Sequence, residues 1–354
     1  MMIIYYLLFI FLLSVIFIKL IMKNATDLGL SDIPNDRSSH TTITPRGAGI
    51  GFGGAFFLSN FIFNFSFFIE NGLVFLSIFL VFLIGILDDH KDASPKAKFY
   101  VIMVATLLVF FDDIAIYSLG SFFGYEISLW YLSLPFTIFA LAGFTNALNL
   151  IDGLDGLATS VSIIILSSFL YIGYVNQDEL IITITSSIIV GLVAFLFFNW
   201  NPASIFMGDS GSLFIGFIIS LVAVISTQYI HPITVLYLGA IPILDTVVVM
   251  VRRIKKGLSP FSPDKTHIHH ILLRFFSKKV KKTVLFIILI QILFSLVGVM
   301  LALNSDKLSS GISSFIALIA FIGITIFFYM IFTGMQKRQK LIEKLSNRKK
   351  KNKK

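Results

Sequence analysis

Long uninterrupted runs of apolar residues, separated by short polar loops, make up most of this chain. Each run is about long enough to cross the roughly 30 Å hydrocarbon core of a bilayer as a helix, and none alternates as a membrane-spanning β-strand would. The pattern predicts an all-α, polytopic integral membrane protein with about eleven transmembrane helices. The fourth run is short unless its helix begins near Lys96. The predicted spans are 1–22, 50–69, 71–87, 99–111, 130–147, 157–175, 180–198, 211–229, 233–250, 283–303 and 312–333.

The basic residues sort to one side of these spans. If the N-terminus lies outside and the spans alternate, 27 of the 28 lysines and arginines fall in or beside internal loops, and Lys307 alone falls outside. The positive-inside rule therefore predicts an external N-terminus and a cytoplasmic C-terminus. We expect one transmembrane domain, residues 1–335, and a basic cytoplasmic tail, residues 336–354, that is disordered and contacts anionic lipid.

Composition agrees with the apolar pattern and narrows the chemistry. Hydrophobic residues make up 56% of the chain and the mean hydropathy is +0.91, outside the range of soluble domains. Cysteine is absent, which excludes disulfides, thiolate metal sites and a catalytic thiol. The net charge of +9 follows from the topology, and no nucleic-acid partner is predicted because no recognisable module accompanies the basic tail.

Polar and ionisable residues are concentrated in five predicted internal loops. Ionisable residues at membrane depth are costly and usually functional. If these loops were unrelated solvent-exposed segments, their polar residues would not be expected to lie all on the same side of the membrane. We therefore expect the five loops to form a common site. The loops are residues 32–50, 88–98, 146–158, 198–213 and 252–270.

Three of these loops carry carboxylates. Asp152 and Asp155 lie either on one helix face, by their spacing, or in a tight turn, by their neighbouring glycines. The adjacent Asp88 and Asp89 suggest a metal site or a general base, with an ordinary charged loop as the alternative. Asp209 precedes an apolar helix, where it is either a site carboxylate or a helix N-cap.

Acidic residues also occur outside these five loops. The external pair Asp112 and Asp113 shows that two adjacent aspartates alone indicate little. Asp245 lies within a predicted span and is expected to face the bundle interior rather than lipid.

The remaining two loops carry cationic groups. His267, His269 and His270 can bind a metal or stabilise a phosphate, and their basic neighbours favour an anion over zinc. In residues 32–50, Arg37, His40 and Arg46 can meet an anionic ligand, with a solvated topology-setting loop as the alternative. The following G-A-G-I-G-F-G-G run is better explained by close helix packing than by phosphate binding.

Together, carboxylates for a hard cation and cationic side chains for phosphate suggest Mg²⁺-assisted phosphoryl chemistry on a lipid. The motifs resemble those of the polyprenyl-phosphate N-acetylhexosamine-1-phosphate transferases. In family order over about residues 32–275 they are L-D-D-x-x-D, N-x-x-N-x-x-D-G-L-D-G-L-A, F-N-x-x-P-A-x-I-F-M-G-D-S-G-S-L and S-P-F-x-P-D-K-x-H-I-H-H. The T-P-R-G-x-G start and H-I-H-H ending are more similar to the O-antigen and capsule-initiating branch, although Ala48 stands where that branch often has Gly.

The resemblance implies a bacterial inner-membrane enzyme with a cytoplasm-facing active site. It would transfer an N-acetylaminosugar 1-phosphate from a UDP-sugar to undecaprenyl phosphate, with Mg²⁺ or its substitute Mn²⁺, and release UMP. This step would start lipid-linked cell-envelope polysaccharide such as O-antigen, lipopolysaccharide or capsule. We also expect a homodimer. The sugar stays open between N-acetylglucosamine and 6-deoxy relatives such as N-acetylfucosamine or N-acetylquinovosamine.

Roles for individual residues follow from motif position alone. The implied metal ligands are Asp155 and Asp209, and either Asp88 or Asp89 would deprotonate or orient the lipid phosphate, or act as a nucleophile. The other implied roles are lipid-phosphate binding by Lys98, diphosphate stabilisation by His269 and His270, shaping of the metal and nucleotide site by Asp152 and Asn149, and substrate binding by Arg46, His267 and Asn199.

Two other classes share some of these features. CDP-alcohol phosphatidyltransferases also use clustered Asp-Gly, but their signature has an Ala-Arg after the first Asp-Gly and further aspartates on the following helix, which this chain lacks. An ion-coupled transporter predicts ionisable residues near the bilayer midplane, for which only Asp245 is a candidate.

Overall fold

A computed structural model of the chain describes residues 2–32, 43–259 and 267–351. Over these residues the protein is a helical bundle with two short pairs of antiparallel strands. The helices are α1 (Met2–Asn24), α2 (Ala48–Phe63), α3 (Phe65–Glu70), α4 (Gly72–Lys91), α5 (Pro95–Phe110), α6 (Ser133–Ile151), α7 (Leu157–Asn176), α8 (Glu179–Asn199), α9 (Asp209–Ser226), α10 (Ile233–Leu238), α11 (Ala240–Ile254), α12 (Ile268–Phe275), α13 (Val280–Ala302), α14 (Ser305–Ser310) and α15 (Ser313–Lys351).

Eight of the described helices are long and apolar enough to cross a membrane, which confirms an all-α polytopic protein. They are α1, α4, α6, α7, α8, α9, α13 and α15. The other three predicted spans correspond to α2, α5 and α11, which have 16, 16 and 15 residues. Helix α5 begins at Pro95, where the Ser94 hydroxyl accepts the Ala97 N–H at 3.2 Å, so the earlier start is confirmed. The total of eleven and the sides of the termini stay predictions.

Helix α9 lies at the centre of the bundle. Every residue from Ser210 to Ser226 is buried, and α9 packs against α2, α4, α6, α7 and α8. Glycine permits the closest of these approaches, since a Cβ on Gly49 would lie 2.1 Å from the Gly211 nitrogen. This contact confirms that small residues in the glycine-rich run serve helix packing.

The predicted span 233–250 is two helices rather than one. Pro242 has no N–H to donate to the carbonyl four residues earlier, that of Leu238, so the helix breaks at Gly239. Gln291 of α13 satisfies the backbone groups freed at the break. Its Nε2 donates to the Leu238 oxygen at 2.7 Å, and its Oε1 accepts the Ile241 N–H at 3.1 Å. Inside a membrane such freed backbone groups need protein partners. The predicted span 50–69 is likewise divided, at Asn64.

An antiparallel hairpin, β3 (Ser118–Phe122) and β4 (Tyr125–Ser128), joins α5 to α6 at the end of the bundle opposite the predicted internal loops. It was not predicted from the sequence. The carbonyl of Ser121 accepts hydrogen bonds from His231 Nε2 at 3.1 Å and from the Ser314 hydroxyl at 2.9 Å. The Nδ1 of His231 accepts the Ile233 N–H, and burial lowers the pKa of His231. A neutral histidine and a serine therefore anchor the hairpin to the bundle.

A second antiparallel strand pair, β1 (Ser31–Asp32) and β2 (Thr44–Pro45), precedes α2. At the other end of the chain, α15 continues as helix to Lys351, where the sequence predicted a disordered tail from residue 336. Lysine, arginine, glutamine and glutamate are good helix formers, so the basic composition allows the helix to continue. Arg37, His40 and part of the S-P-F-x-P-D-K-x-H motif lie outside the described residues.

Candidate active site

The described parts of the predicted internal loops meet at one end of the bundle, which we call the site face. Helices α4, α6 and α8 end there, and α2, α5, α7, α9 and α12 begin there. Because α9 is central, its N-terminus is reached by side chains from both α4 and α6. The fold therefore brings together residues that are far apart in the sequence.

Lys98 joins two carboxylates at the centre of the site face. Its Nζ lies 2.6 Å from Oδ2 of Asp88 and 2.6 Å from Oδ2 of Asp209. The Asp209 side chain remains 29% exposed, compared with 10% for Asp88, so Asp209 is the more accessible to a ligand. Asn149 Nδ2 donates to the other Asp209 oxygen at 3.1 Å and to the Ser212 hydroxyl at 2.8 Å.

Asp89 is buried and serves a different purpose from Asp88. Its two carboxylate oxygens accept the backbone N–H groups of Asp209, at 2.8 Å, and Ser210, at 3.0 Å. These are the first free donors of α9, where a negative charge is stabilised by the helix dipole. Gly208 has a φ of 74°, and a Cβ there would lie 2.5 Å from Asp89. The G-D-S-G-S motif thus seats Asp89 and holds Asp209 in position.

Arg46 lies beside Asp89. Its Nη2 donates to the backbone carbonyl of Asp89 at 2.7 Å. The preceding residue, Pro45, accepts the Phe206 N–H at 2.8 Å, which ties the T-P-R-G segment to the loop before Asp209. Arg46 therefore reaches the site face, where its guanidinium donates to the main chain of α4.

Asp152 ends α6 and is half-buried. Its carboxylate makes no hydrogen bond or ion pair with any residue that the structure describes. Burial raises the pKa of Asp152 to about 7, and the charges of Asp209, Asp89 and Asp155 act in the same direction. Asp152 therefore has no counter-charge among the described residues.

Asp155 and Asn199 bind one loop to another. Asp155 Oδ2 accepts Asn201 Nδ2 at 2.7 Å and the Ala203 N–H at 3.1 Å. The buried Asn199 accepts the Gly156 N–H and the Thr159 hydroxyl, each at 3.0 Å. The structure thus uses Asn199, predicted to bind substrate, to fix the D-G-L-D-G turn, and gives one oxygen of Asp155 the same task.

The three histidines lie at the start of α12, and Asp245 positions them. The carboxylate of Asp245 is buried in the bundle as predicted, 2.8 Å from His267 Nδ1, and accepts the Ile268 N–H at 2.6 Å. The His269 ring stacks near His267 and lies against Gly153, where a Cβ would come within 2.5 Å of Nε2. Burial, together with the charge of His270, lowers the pKa of His269 to about 3. His269 is therefore a neutral ring beside Gly153.

A cleft of about 1380 Å³ opens beside these residues and runs along the bundle between α6, α9 and α11. We call it the long cleft. At the site face its walls include Asn149, Gly153, Arg253, His267, His269 and His270. Along the bundle they are mainly apolar and aromatic, and include Phe136, Phe139, Phe144, Ile219, Val224, Ile243, Val247 and Met250.

Comparison with known proteins identifies the family of this chain. A model described as "Glycosyl transferase family 4" matches residues 72–227. A Bacillus subtilis (strain 168) protein, "Probable undecaprenyl-phosphate N-acetylglucosaminyl 1-phosphate transferase", is 34% identical over 302 residues, which cover 82% of each chain. The "Undecaprenyl-phosphate alpha-N-acetylglucosaminyl 1-phosphate transferase" of Escherichia coli (strain K12) is 34% identical over 75% of each chain, and that of Yersinia pestis is 32% identical over 76%. This chain belongs to the polyprenyl-phosphate N-acetylhexosamine-1-phosphate transferase family. The resemblance drawn from the motifs is thereby confirmed.

The carboxylates of this family member suit a hard divalent cation. Asp152 is unpartnered among the described residues, and Asp209 is accessible nearby. Within residues 2–32, 43–259 and 267–351, however, no three carboxylates or imidazoles converge enough to hold an ion alone. An ion here would thus take further ligands from substrate phosphates or water, as Mg²⁺ commonly does.

Two polar residues of this transferase-family site were given no individual role at the sequence level. Asn146 is exposed, one turn before Asn149, and lines the long cleft. Arg253 is buried and lines the cleft beside the histidines. Asn146 belongs to the N-x-x-N motif, and its spacing was a usable signal. Arg253 belongs to a basic run that was interpreted as a topology signal and, beside the histidines, as favouring an anion.

Proposed function

We propose that this family member transfers an N-acetylaminosugar 1-phosphate from a UDP-sugar to undecaprenyl phosphate at the cytoplasmic face of the bacterial inner membrane. The single observation that carries the proposal is the long cleft, which is apolar along the bundle and ends among cationic and carboxylate groups. A lipid phosphate has the same division between an apolar chain and an anionic head.

The acceptor would place its prenyl chain in the long cleft and its phosphate near Lys98 and the histidines. Phe139 and Val247 line the cleft and are also exposed, 71% and 37%, so the cleft opens sideways where a bilayer would lie. The water-soluble donor would enter from the site face. This arrangement lets two substrates of opposite solubility meet at the end of α9.

Mg²⁺, or Mn²⁺ in its place, would be held by Asp209 with Asp152 or Asp155 and would neutralise phosphate charge. In the reaction, an oxygen of the lipid phosphate forms a bond to the sugar-bearing phosphorus, and the bond to the UMP oxygen breaks. Phosphoryl transfer of this kind depends on alignment and charge stabilisation. The His269 and His270 rings and the Asn149 amide would orient the diphosphate.

The structure favours Asp88 over Asp89 as the acid–base group. Both oxygens of Asp89 are committed to the N-terminus of α9, whereas Asp88 contacts the side-chain ammonium of Lys98. Asp88 would accept a proton from the lipid phosphate in a single displacement. If it instead formed an aspartyl phosphate, the enzyme would exchange labelled UMP into UDP-sugar without any lipid.

The relatives' names favour N-acetylglucosamine as the sugar. Its 6-deoxy relatives remain in the proposal because the motifs do not separate them. The product would start a lipid-linked cell-envelope polysaccharide. The expected homodimer stays a prediction.

The decisive test is UMP release by purified protein supplied with undecaprenyl phosphate, Mg²⁺ and a panel of UDP-N-acetyl sugars. We expect release that requires both lipid and metal, with EDTA and lipid-free reactions as controls. A folded protein that releases no UMP with any sugar would contradict the proposal. Lipid-independent release would indicate simple hydrolysis instead.

A further inference from the structure

We propose that the outer hairpin β3–β4 is the end wall of the long cleft and makes the protein sensitive to the length of the acceptor's prenyl chain. This inference rests on the proposed function, because it takes the occupant of the cleft to be that chain. It assigns a specificity role to a part of the molecule far from the reacting phosphates.

The long cleft reaches from the site face to the hairpin. Along α6 its walls include residues from Leu150 back to Phe136, a distance of about 21 Å at 1.5 Å per residue. Beyond Phe136 the lining passes to the hairpin, through Leu119, Phe122, Phe123 and Ile127. One cavity therefore connects the polar site to the opposite end of the bundle.

The wall at this far end is apolar and largely aromatic. Phe123 contacts Phe315 of α15, with ring centroids 5.1 Å apart, and both line the cleft. Leu318 lies one turn further along α15 and lines it as well. A chain that extends this far buries its end against these side chains, whereas a shorter chain ends inside the cleft without meeting them.

The hairpin is held firmly enough to act as a wall. Its Ser121 carbonyl accepts bonds from both His231 and Ser314, and the Phe122 ring packs edge-on against His231, with centroids 5.4 Å apart. Gly120 has a φ of 91°, and a Cβ there would lie 2.4 Å from the His231 ring, so only glycine fits. Helix α15 and a buried histidine thus fix its position relative to the cleft.

The test compares acceptors of increasing length, from farnesyl (three isoprene units) through heptaprenyl to undecaprenyl phosphate. In the wild type, kcat/KM for UMP release should rise with length and then level off once the chain reaches the hairpin. In Phe123→Ala, kcat/KM for the long acceptors should fall about five- to tenfold, through KM, because apolar contact is lost. Its value for farnesyl phosphate should not change.

Tyr125→Ala is the matched control, because Tyr125 is an aromatic residue of the same hairpin that is 80% exposed and does not line the cleft. It should behave as the wild type with every acceptor. Ile127→Ala removes a second wall residue, 45% exposed, and should repeat the length-selective loss if Phe123→Ala fails to fold. Each variant should match the wild type in melting temperature before its kinetics are compared.

An equal loss for short and long acceptors, or no loss for any in both wall variants, would overturn the end-wall assignment. So would the same loss in Tyr125→Ala. These results differ from failure of the proposed function, which would appear as no lipid-dependent UMP release by the wild type with an acceptor of any length.

Discussion

Two groups of buried polar side chains occur in this bundle, and they are built differently. In the outer half, the Tyr6 hydroxyl lies 2.9 Å from Asn60 Oδ1 and 2.5 Å from the Ser187 hydroxyl, joining α1, α2 and α8. All three residues are neutral and each has a partner. At the site face, Lys98 is shared by two carboxylates and Asp152 has no partner among the described residues.

The difference separates polar residues that hold helices together from those prepared for a ligand. Neutral groups that satisfy one another stabilise a membrane bundle without further help. Clustered charges whose partners are incomplete raise the free energy of the folded state unless a ligand compensates them. Polar residues inside the bundle thus have different roles at the two ends, and substitutions should distinguish them.

The largest effect is expected for Asp209→Asn. The amide preserves the shape of the side chain and can still accept from Asn149, but it removes the charge most accessible to a cation. We expect UMP release to fall by about 10³-fold or more, with normal membrane insertion and melting temperature.

Asp112→Asn is the control for that substitution. Asp112 is an exposed aspartate of the Asp112–Asp113 pair, which does not belong to the candidate site. It should leave turnover unchanged. Normal turnover and normal Mg²⁺ dependence in Asp209→Asn would show that the charged cluster is only another structural contact.

Lys98→Gln should have the next largest effect. Removing the ammonium leaves Asp88 and Asp209 facing each other without a counter-ion, so activity should fall by about 10²-fold and the melting temperature should fall in EDTA. Added Mg²⁺ or Mn²⁺ should raise the variant's melting temperature more than the wild type's, because the ion can replace the lost charge.

Lys96→Gln, an exposed lysine earlier on α5, is the matched control for Lys98→Gln. Equal thermal shifts by divalent ions in both variants would mean that Lys98 does not compete with a cation at this position.

The difference between these two ends could be predicted only in part from the sequence. Apolar run lengths and the positive-inside count indicated the class of fold, and the motifs brought Asp88, Lys98, Asn149 and Asp209 into one predicted site. Those signals are local, since each depends on residue type and short spacing. The membrane itself supplies the constraint that makes them reliable.

What was missed depends on contacts between distant elements. The separate tasks of Asp88 and Asp89 are set by the N-terminus of α9, 120 residues away along the chain. Gln291, on another helix, donates a hydrogen bond to a carbonyl freed by the helix break at Gly239. The local sequence around Gln291 and around Gly239 gives no sign of this contact. The outer hairpin is too short for its alternation to stand out from the apolar runs beside it.

Asp152→Asn should change pH dependence more than fold. The folded pKa of Asp152, about 7, lies above its usual value. Its favourable contribution to stability is therefore full below about pH 4 and is lost as the pH rises through about 7. In EDTA at pH 8 the variant should melt several degrees higher than the wild type, since each unit of pKa shift corresponds to about 1.4 kcal/mol.

Activity should respond in the opposite sense. Turnover by the wild type should rise as Asp152 ionises, which gives the pH–rate profile an inflection near pH 7. In Asp152→Asn this inflection should be absent, and the rate should be about 10- to 100-fold lower. At pH 8, Mg²⁺ should stabilise the wild type more than the variant. An unchanged inflection in Asp152→Asn would assign it to another group.

The smallest effect is expected in the neutral outer cluster. Tyr6→Phe removes one hydroxyl from a membrane-embedded hydrogen bond and should cost about 1 kcal/mol of stability, lowering the melting temperature by a few degrees. UMP release and its Mg²⁺ dependence should not change. Tyr5→Phe, at the neighbouring residue that is 59% exposed, should alter neither property. If Tyr6→Phe reduced turnover as severely as Lys98→Gln, burial with complete neutral partners would not mark a purely structural cluster, and the contrast between the two ends would fail.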